Sequence, residues 1–248
     1  MELLKLLISK TATMTKEGLW RKMLFVDVKK AHIVPLCDQD VYFWLPAEAG
    51  PAQGECGKLE HWLYGCRPAA QAWENHYAAR LESVGFIRGA GNPVAFLHPA
   101  RDLACVVHGD DFTFSGLDGD LTWIENLMKQ WSDVKIRARL GREETDDKKI
   151  DVLGRRLVWT KAGIEYQADP RHRAEVLEQF GLGPESKGLK VTGGHEEEKE
   201  DDYELEPKEA KQFRGVAARG NYLAQDCPDI QYAAKEICRG MAKPSFRS

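Results

Sequence analysis

The sequence has no strong net charge, no paired-cysteine motif and no long apolar run, and each absence removes a class of protein. Six cysteines, at 37, 56, 66, 105, 227 and 238, include no Cys-x-x-Cys pair and no metal-finger spacing. That argues against a zinc module or a disulfide-stapled scaffold and predicts buried thiols in a reducing compartment. The only N-terminal apolar patch, MELLKLLISK, is broken by lysine and too short to span a bilayer, and no cleavage-type tail follows it. The expectation is an intracellular soluble protein, cytoplasmic or nuclear, with no membrane partner. No Cys, His or Gly-rich pattern suggests zinc, haem or a P-loop.

What is present is a globular composition, with 43% hydrophobic residues over 248 positions, enough to bury a sizeable core. The net charge is −4, but residues 195–206, HEEEKEDDYELE, carry eight acids and one lysine. Without that run the chain is about +3, so the acidity is local and the remainder is compatible with a polyanion. The run itself reads as a solvated acidic loop.

Residues 104–115, ACVVHGDDFTFS, hold the densest chemistry: an apolar run, then Asp110 and Asp111, then alternating aromatics. The pattern predicts a β-hairpin with two carboxylates at its tip. Neighbouring carboxylates repel and call for a positive partner, and Mg²⁺ is commonly held by one or two carboxylates together with substrate phosphates. The same pair is also what an ordinary solvated turn carries. Upstream, KMLFVDV at 22–28 reads as a buried strand delivering Asp27 near its end. An unpaired buried carboxylate is costly, so Asp27 serves either a ligand or the cap of a helix starting at Lys29.

Around these stretches the pattern predicts a helix over 1–19, a strand over 41–45, a helix after Pro68 carrying Trp73, Tyr77, Leu81 and Val84, and a helix over 120–131 capped by Asp120. A strand over 133–141 follows, and 149–160 reads as another in which Gly154 marks a bulge or a close backbone approach. Helices are expected over 170–182, 207–225 and 228–241. The fold class is therefore α+β, a split β–α–β sheet with helices on one face and a smaller helical C-terminal unit, divided into domains 1–167 and 168–248. In such a sheet Asp27 and the Asp110–Asp111 hairpin can converge.

Taken together the motifs resemble the reverse transcriptases of copia-type LTR retrotransposons. VDVKKAH (26–32) is similar to the family's DVKTAFLNG-like string, VYFWLPAEAG (41–50) to VYMEQPEGF, and KLEHWLYGCRPAAQAW (58–73) to KLxKSLYGLKQAPRAW. VVHGDDFTFSG (106–116) is similar to the YVDDI-type hairpin, DVLGRRLVWTKAGIEYQ (151–167) to the FLGIEI and GIxLSQ strands, and 213–244 to the family's YLxxxRPDIxYAV tail.

The resemblance implies an RNA-directed DNA polymerase palm with part of a thumb or connection region. It implies that Asp27, Asp110 and Asp111 are catalytic and hold two Mg²⁺ ions, or Mn²⁺, with the Val28 carbonyl as a further metal ligand. Lys29, Lys30, Ala31 and His32 would lie near the nucleotide, and Arg67 would meet a phosphate. The partners would be an RNA or DNA template with its primer and deoxynucleoside triphosphates.

Four departures bear on activity. His32 replaces a large aromatic that excludes a 2′ hydroxyl, Pro68 and Gln71 replace the family's Gln and Arg, Gly109 loosens the hairpin turn, and the fingers segment upstream of the first motif is expected to be missing. The alternative reading is a truncated, catalytically inactive remnant with weak nucleic-acid binding; a nucleotidyl cyclase is a more distant one.

Overall fold

The computed structural model describes residues 2–52, 54–183, 185–188 and 203–245. The chain is α+β, with antiparallel sheets and six α-helices among the described residues. It forms two compact units, 1–150 with 159–164 and 151–158 with 165–248. No helix among the described residues is long and apolar enough to cross a membrane.

The first unit is built on β1 (Lys22–Val28), whose run KMLFVDV is buried along nearly its whole length. It pairs on one side with β7 (Asp111–Gly116) and on the other with β8 (Val134–Leu140). Beyond β7 come β6 (Leu103–His108), β5 (Ala95–His98) and β4 (Ile87–Arg88), giving the order β4-β5-β6-β7-β1-β8. Helix α2 (Ala69–Ser83) lies in sequence between β1 and β6, and α3 (Asp118–Trp131) between β7 and β8. Each of these two connections passes over one intervening strand.

Strand alternation sorts the side chains onto two faces. Leu24, Val26, Val28, Cys105, Val107, Phe112 and Phe114 form one core with Trp73, Tyr77 and Leu81 of α2 and with Leu121, Ile124 and Met128 of α3. The predicted spacing on both helices is thus the buried stripe. α2 ends in a Schellman motif: Gly85, at φ +100°, donates to the Glu82 carbonyl and Phe86 to the Leu81 carbonyl.

The expectation of helices on one face holds for α2 and α3 only. Helix α1 (Glu2–Thr11) packs on the opposite face, where the Thr11 and Ser115 hydroxyls are hydrogen-bonded at 2.8 Å with Thr11 Oγ1 accepting, both side chains buried. Nor does α1 run to residue 19. Thr11 and Thr13 turn their hydroxyls back onto the Leu7 and Lys10 carbonyls, and Gly18, at φ +79°, serves a tight turn closed by the Met14–Trp20 bridge. The 41–45 strand is present as β2 (Tyr42–Trp44), paired with β3 (Cys56–Lys58) in a separate exposed hairpin.

At the start of β1, Lys22 is buried among Asp146 at 2.7 Å, Glu143 at 2.8 Å and Asp118 at 3.3 Å. Arg139 of β8 joins Asp118 at 2.8 Å and Glu125 at 2.7 Å. Burial opposes ionisation of Asp118 and Glu125, but hydrogen bonds from Arg139 to both, from Lys22 to Asp118 and from Lys129 to Glu125 outweigh it and hold both carboxyls below their ordinary range.

The 149–160 stretch is not one bulged strand. β9 (Lys149–Val152) turns into β10 (Arg155–Thr160) through Leu153 at φ +49° and Gly154 at φ +76°, the paired left-handed conformation of a type I′ hairpin. β11 (Gly163–Gln167) completes a sheet of order β11-β10-β9, through which the division between the units runs. The second unit also holds α4 (Pro170–Gln179), α5 (Pro207–Ala224) and α6 (Gln231–Arg239). Of the expected acidic loop, 195–202 lies outside the described residues.

The second unit is tied by an ion pair, Arg155 Nε to Asp226 Oδ2 at 2.7 Å, with side chains 4% and 1% exposed. The Tyr166 hydroxyl donates to the other oxygen of Asp226 at 3.0 Å, and the Arg155 guanidinium lies 4.3 Å from the centre of the Tyr222 ring. Removing one partner of a buried pair strands the other charge.

Two outcomes follow. Asp226→Asn destabilises the second unit by about 3–5 kcal/mol. Urea titration reads this as part of the helical circular dichroism, that of α4, α5 and α6, lost ahead of tryptophan emission, because all seven tryptophans lie in the first unit. Carboxylates with depressed pKa stabilise the fold above their unfolded pKa and lose that contribution as pH falls, so the first unit weakens between about pH 5 and pH 2. Arg139→Met flattens that decline, as read from urea midpoints across the same pH range.

Candidate functional site

The ends of β1 and β7 bring two of the three singled-out acids together. Asp27 and Asp111 are direct partners in the β1–β7 register, and the Val28 amide donates to the Asp110 carbonyl at 2.9 Å. That bond lies one step outside the pair, so Asp27 and Asp111 form a non-hydrogen-bonded pair, the kind in which Cα atoms approach to about 4.5 Å and side chains are closest. Both are half-buried, on the face opposite the α2–α3 core. Like charges so placed destabilise a sheet unless something compensates.

The hairpin that carries Asp111 is held on two sides. His108 pairs with Asp111, leaving Gly109 and Asp110 as the turn. Gly109 has φ +65° and Asp110 no positive φ, the pattern a type II′ turn demands, with glycine at its first position. Glycine there therefore fits the turn, where the sequence reading had it loosening the site. Trp73 Nε1 of α2 donates to the Gly109 carbonyl at 2.9 Å, while the Asp110 carbonyl receives Val28.

Asp110 itself is exposed on the turn. Among the described residues no three His, Cys, Asp or Glu side chains form a group that could hold a metal. Asp27 and Asp111 are register partners, and Asp110 occupies the turn that precedes Asp111. The facing pair of carboxylates still fits one hard divalent ion, which takes oxygen ligands and needs only one or two of them from protein.

The other predicted site residues lie in different surroundings. Val28 points into the core, and only its amide serves the hairpin. Lys29 bonds both oxygens of Asp133 at 3.0 Å, and its amide donates to the Asp133 carbonyl. Lys30 adopts a left-handed φ of +56° ahead of a 3-10 turn over Ala31–Ile33, so no α-helix begins at Lys29 for Asp27 to cap. Ala31 is buried, the His32 ring lies 4.6 Å from that of Tyr64, and Arg67 is exposed. Among the described residues no side-chain hydrogen bond, ion pair or ring contact joins any of these six to Asp27, Asp110 or Asp111.

Two cations that the sequence reading passed over lie on the acids' face. Lys135 of β8 is the register partner of Asp27, and Arg137 Nη1 reaches Asp111 Oδ1 at 3.1 Å. A register shift opposite Phe25 and Val26 makes Arg137 the extra residue of a β-bulge, so the alternation changes phase there. Arg137 turns to Asp111 and Lys135 stands opposite Asp27, while Arg139 turns to α3. The signal was the basic alternation of DVKIRARLG, which a bulge-free strand would place entirely on one face.

No protein-family model matches the chain, and no curated protein matches it.

Trp73→Phe keeps the aromatic packing and removes the bond to the Gly109 carbonyl. Stability falls by about 1–2 kcal/mol. Urea unfolding followed by circular dichroism checks this, and an unchanged midpoint would mean that the Val28 bond alone holds the turn.

Proposed function

We propose that the first unit is a reverse-transcriptase-type palm that transfers a deoxynucleotide to a primer 3′ hydroxyl on an RNA or DNA template. The observation that carries this reading is the pairing of Asp27 with Asp111 across the ends of β1 and β7, two carboxylates on one face with no backbone bond between them. Supporting it, the strands β6-β7-β1-β8 with α2 and α3 on one face follow a split β–α–β order. The same strands carry the segments that resemble the family.

Mg²⁺ bound at such a site would lower the pKa of the primer hydroxyl and steady charge on the leaving pyrophosphate. The chain's own residues supply position and charge. Asp27 and Asp111 present oxygens from two rigid strands. Trp73 and Val28 fix the turn between β6 and β7, so that the backbone leading into Asp111 is held from two sides. Asp110, exposed at the turn, is available to a second ion or to substrate.

A second reading, a folded palm without catalysis, is favoured by one observation: the Arg137 guanidinium already neutralises Asp111. Primer extension on poly(rA)·oligo(dT) with Mg²⁺ or Mn²⁺ separates the two. The polymerase reading expects extension by wild type, reduced at least about 100-fold in Asp27→Asn and Asp111→Asn because each removes several kcal/mol of charge stabilisation. A folded wild type that extends no primer leaves the non-catalytic reading.

A further inference from the structure

The β-bulge in β8 puts a guanidinium where an incoming ion would have to sit. Arg137 occupies Asp111 Oδ1 at 3.1 Å, and its side chain, about one-third exposed, remains open to solvent. Bulges re-aim side chains, and this one sends Arg137 to the acid face without disturbing Val134 and Ile136, which pack on the α2–α3 core. On the same strand Lys135 stands opposite Asp27. Two acids from β1 and β7 are thus met by two bases from β8.

We infer that Arg137 is a place-holding cation: it gives up Asp111 to a divalent ion and then binds the phosphate groups of the nucleotide that arrives with that ion. The inference rests on the two-carboxylate reading of the site. Its chemistry is charge exchange. An ion seated on Asp27 and Asp111 repels the guanidinium and takes over its carboxylate oxygen. The guanidinium carries its donors in a planar fork, a match for phosphate oxygens and for no other group of a nucleotide so well. Mg²⁺ is held by one or two carboxylates together with substrate phosphates, so the phosphates come to rest beside the residue just displaced. Lys135 cannot substitute fully, since an ammonium offers a point charge without the fork.

A residue that only stabilised the strand pair would weaken everything when removed. A place-holder does the opposite for the metal. The full chain is titrated with Mn²⁺ alone, followed by water-proton relaxation, and then with dTTP and Mg²⁺ by equilibrium dialysis. Arg137→Met is expected to bind Mn²⁺ about fivefold more tightly than wild type, because an exposed competing pair is lost. It binds dTTP about tenfold more weakly, because charge-assisted bonds to phosphate are gone. Arg137→Lys restores the wild-type Mn²⁺ affinity and only part of the dTTP affinity.

Mn²⁺ binding by Arg137→Met that is no tighter than wild type, or dTTP binding that is undiminished, overturns the inference. Asp111→Asn distinguishes the two levels of the argument. If it weakens Mn²⁺ binding while Arg137→Met changes nothing, the metal site stands and the role of Arg137 falls. If it leaves Mn²⁺ binding unchanged, the two-carboxylate site falls and the inference with it.

Discussion

The antiparallel pairing of β1 with β7 is the constraint on which the first unit depends. It runs from Lys22 opposite Gly116 to Asp27 opposite Asp111, with an apolar face toward α2 and α3 for most of its length. Burying that face fixes the register, since a slip of one residue would send Leu24, Val26 and Val28 to the wrong side. The carboxylate pair is a by-product of that register. Asp27 and Asp111 face each other because the hydrophobic residues before and after them have no other way to be buried, and the electrostatic cost is met locally by β8.

Compensation by neighbouring charge recurs through the chain. Lys22 is buried among three carboxylates at the other end of β1, and Arg155 with Asp226 ties β10 to the end of α5 within the second unit. Such buried pairs contribute little net stability over apolar packing, yet each is intolerant of losing one partner. In the second unit the hydroxyls of Tyr166 and Tyr222 complete the arrangement, so the aromatics there serve polar as well as apolar ends.

Much of this was legible in the sequence. Helical spacing of Trp73, Tyr77 and Leu81 gave α2 its buried face, alternating aromatics gave β7, and an aspartate ending an apolar strand singled out Asp27. Three features were hidden for physical reasons. Threonine hydroxyls that cap their own turn end α1 early, which composition does not reveal. Leu153 adopts a left-handed conformation that its side chain disfavours, so the turn beside Gly154 looked like a bulge. The phase change at Arg137 depends on pairing with β1, and no pattern within β8 alone encodes which side a bulged residue takes. Asp110 and Asp111, adjacent in sequence, looked equivalent, and only the turn separates them into an exposed tip and a strand-borne acid.

The bulge makes β8 sensitive to length in a way that its composition conceals. With one residue more on β8 than on its partner, the strand supplies arginine to both faces: Arg137 outward to the acids and Arg139 inward to α3. Substitutions at either position alter one face only. Deleting Arg137 would restore regular alternation with Lys135 still opposite Asp27 and Arg139 still opposite Leu24, so α3 would keep its counter-charge while Asp111 lost its guanidinium. The count of residues between Asp133 and Leu140 is therefore as much a determinant of the site as the identity of any one of them.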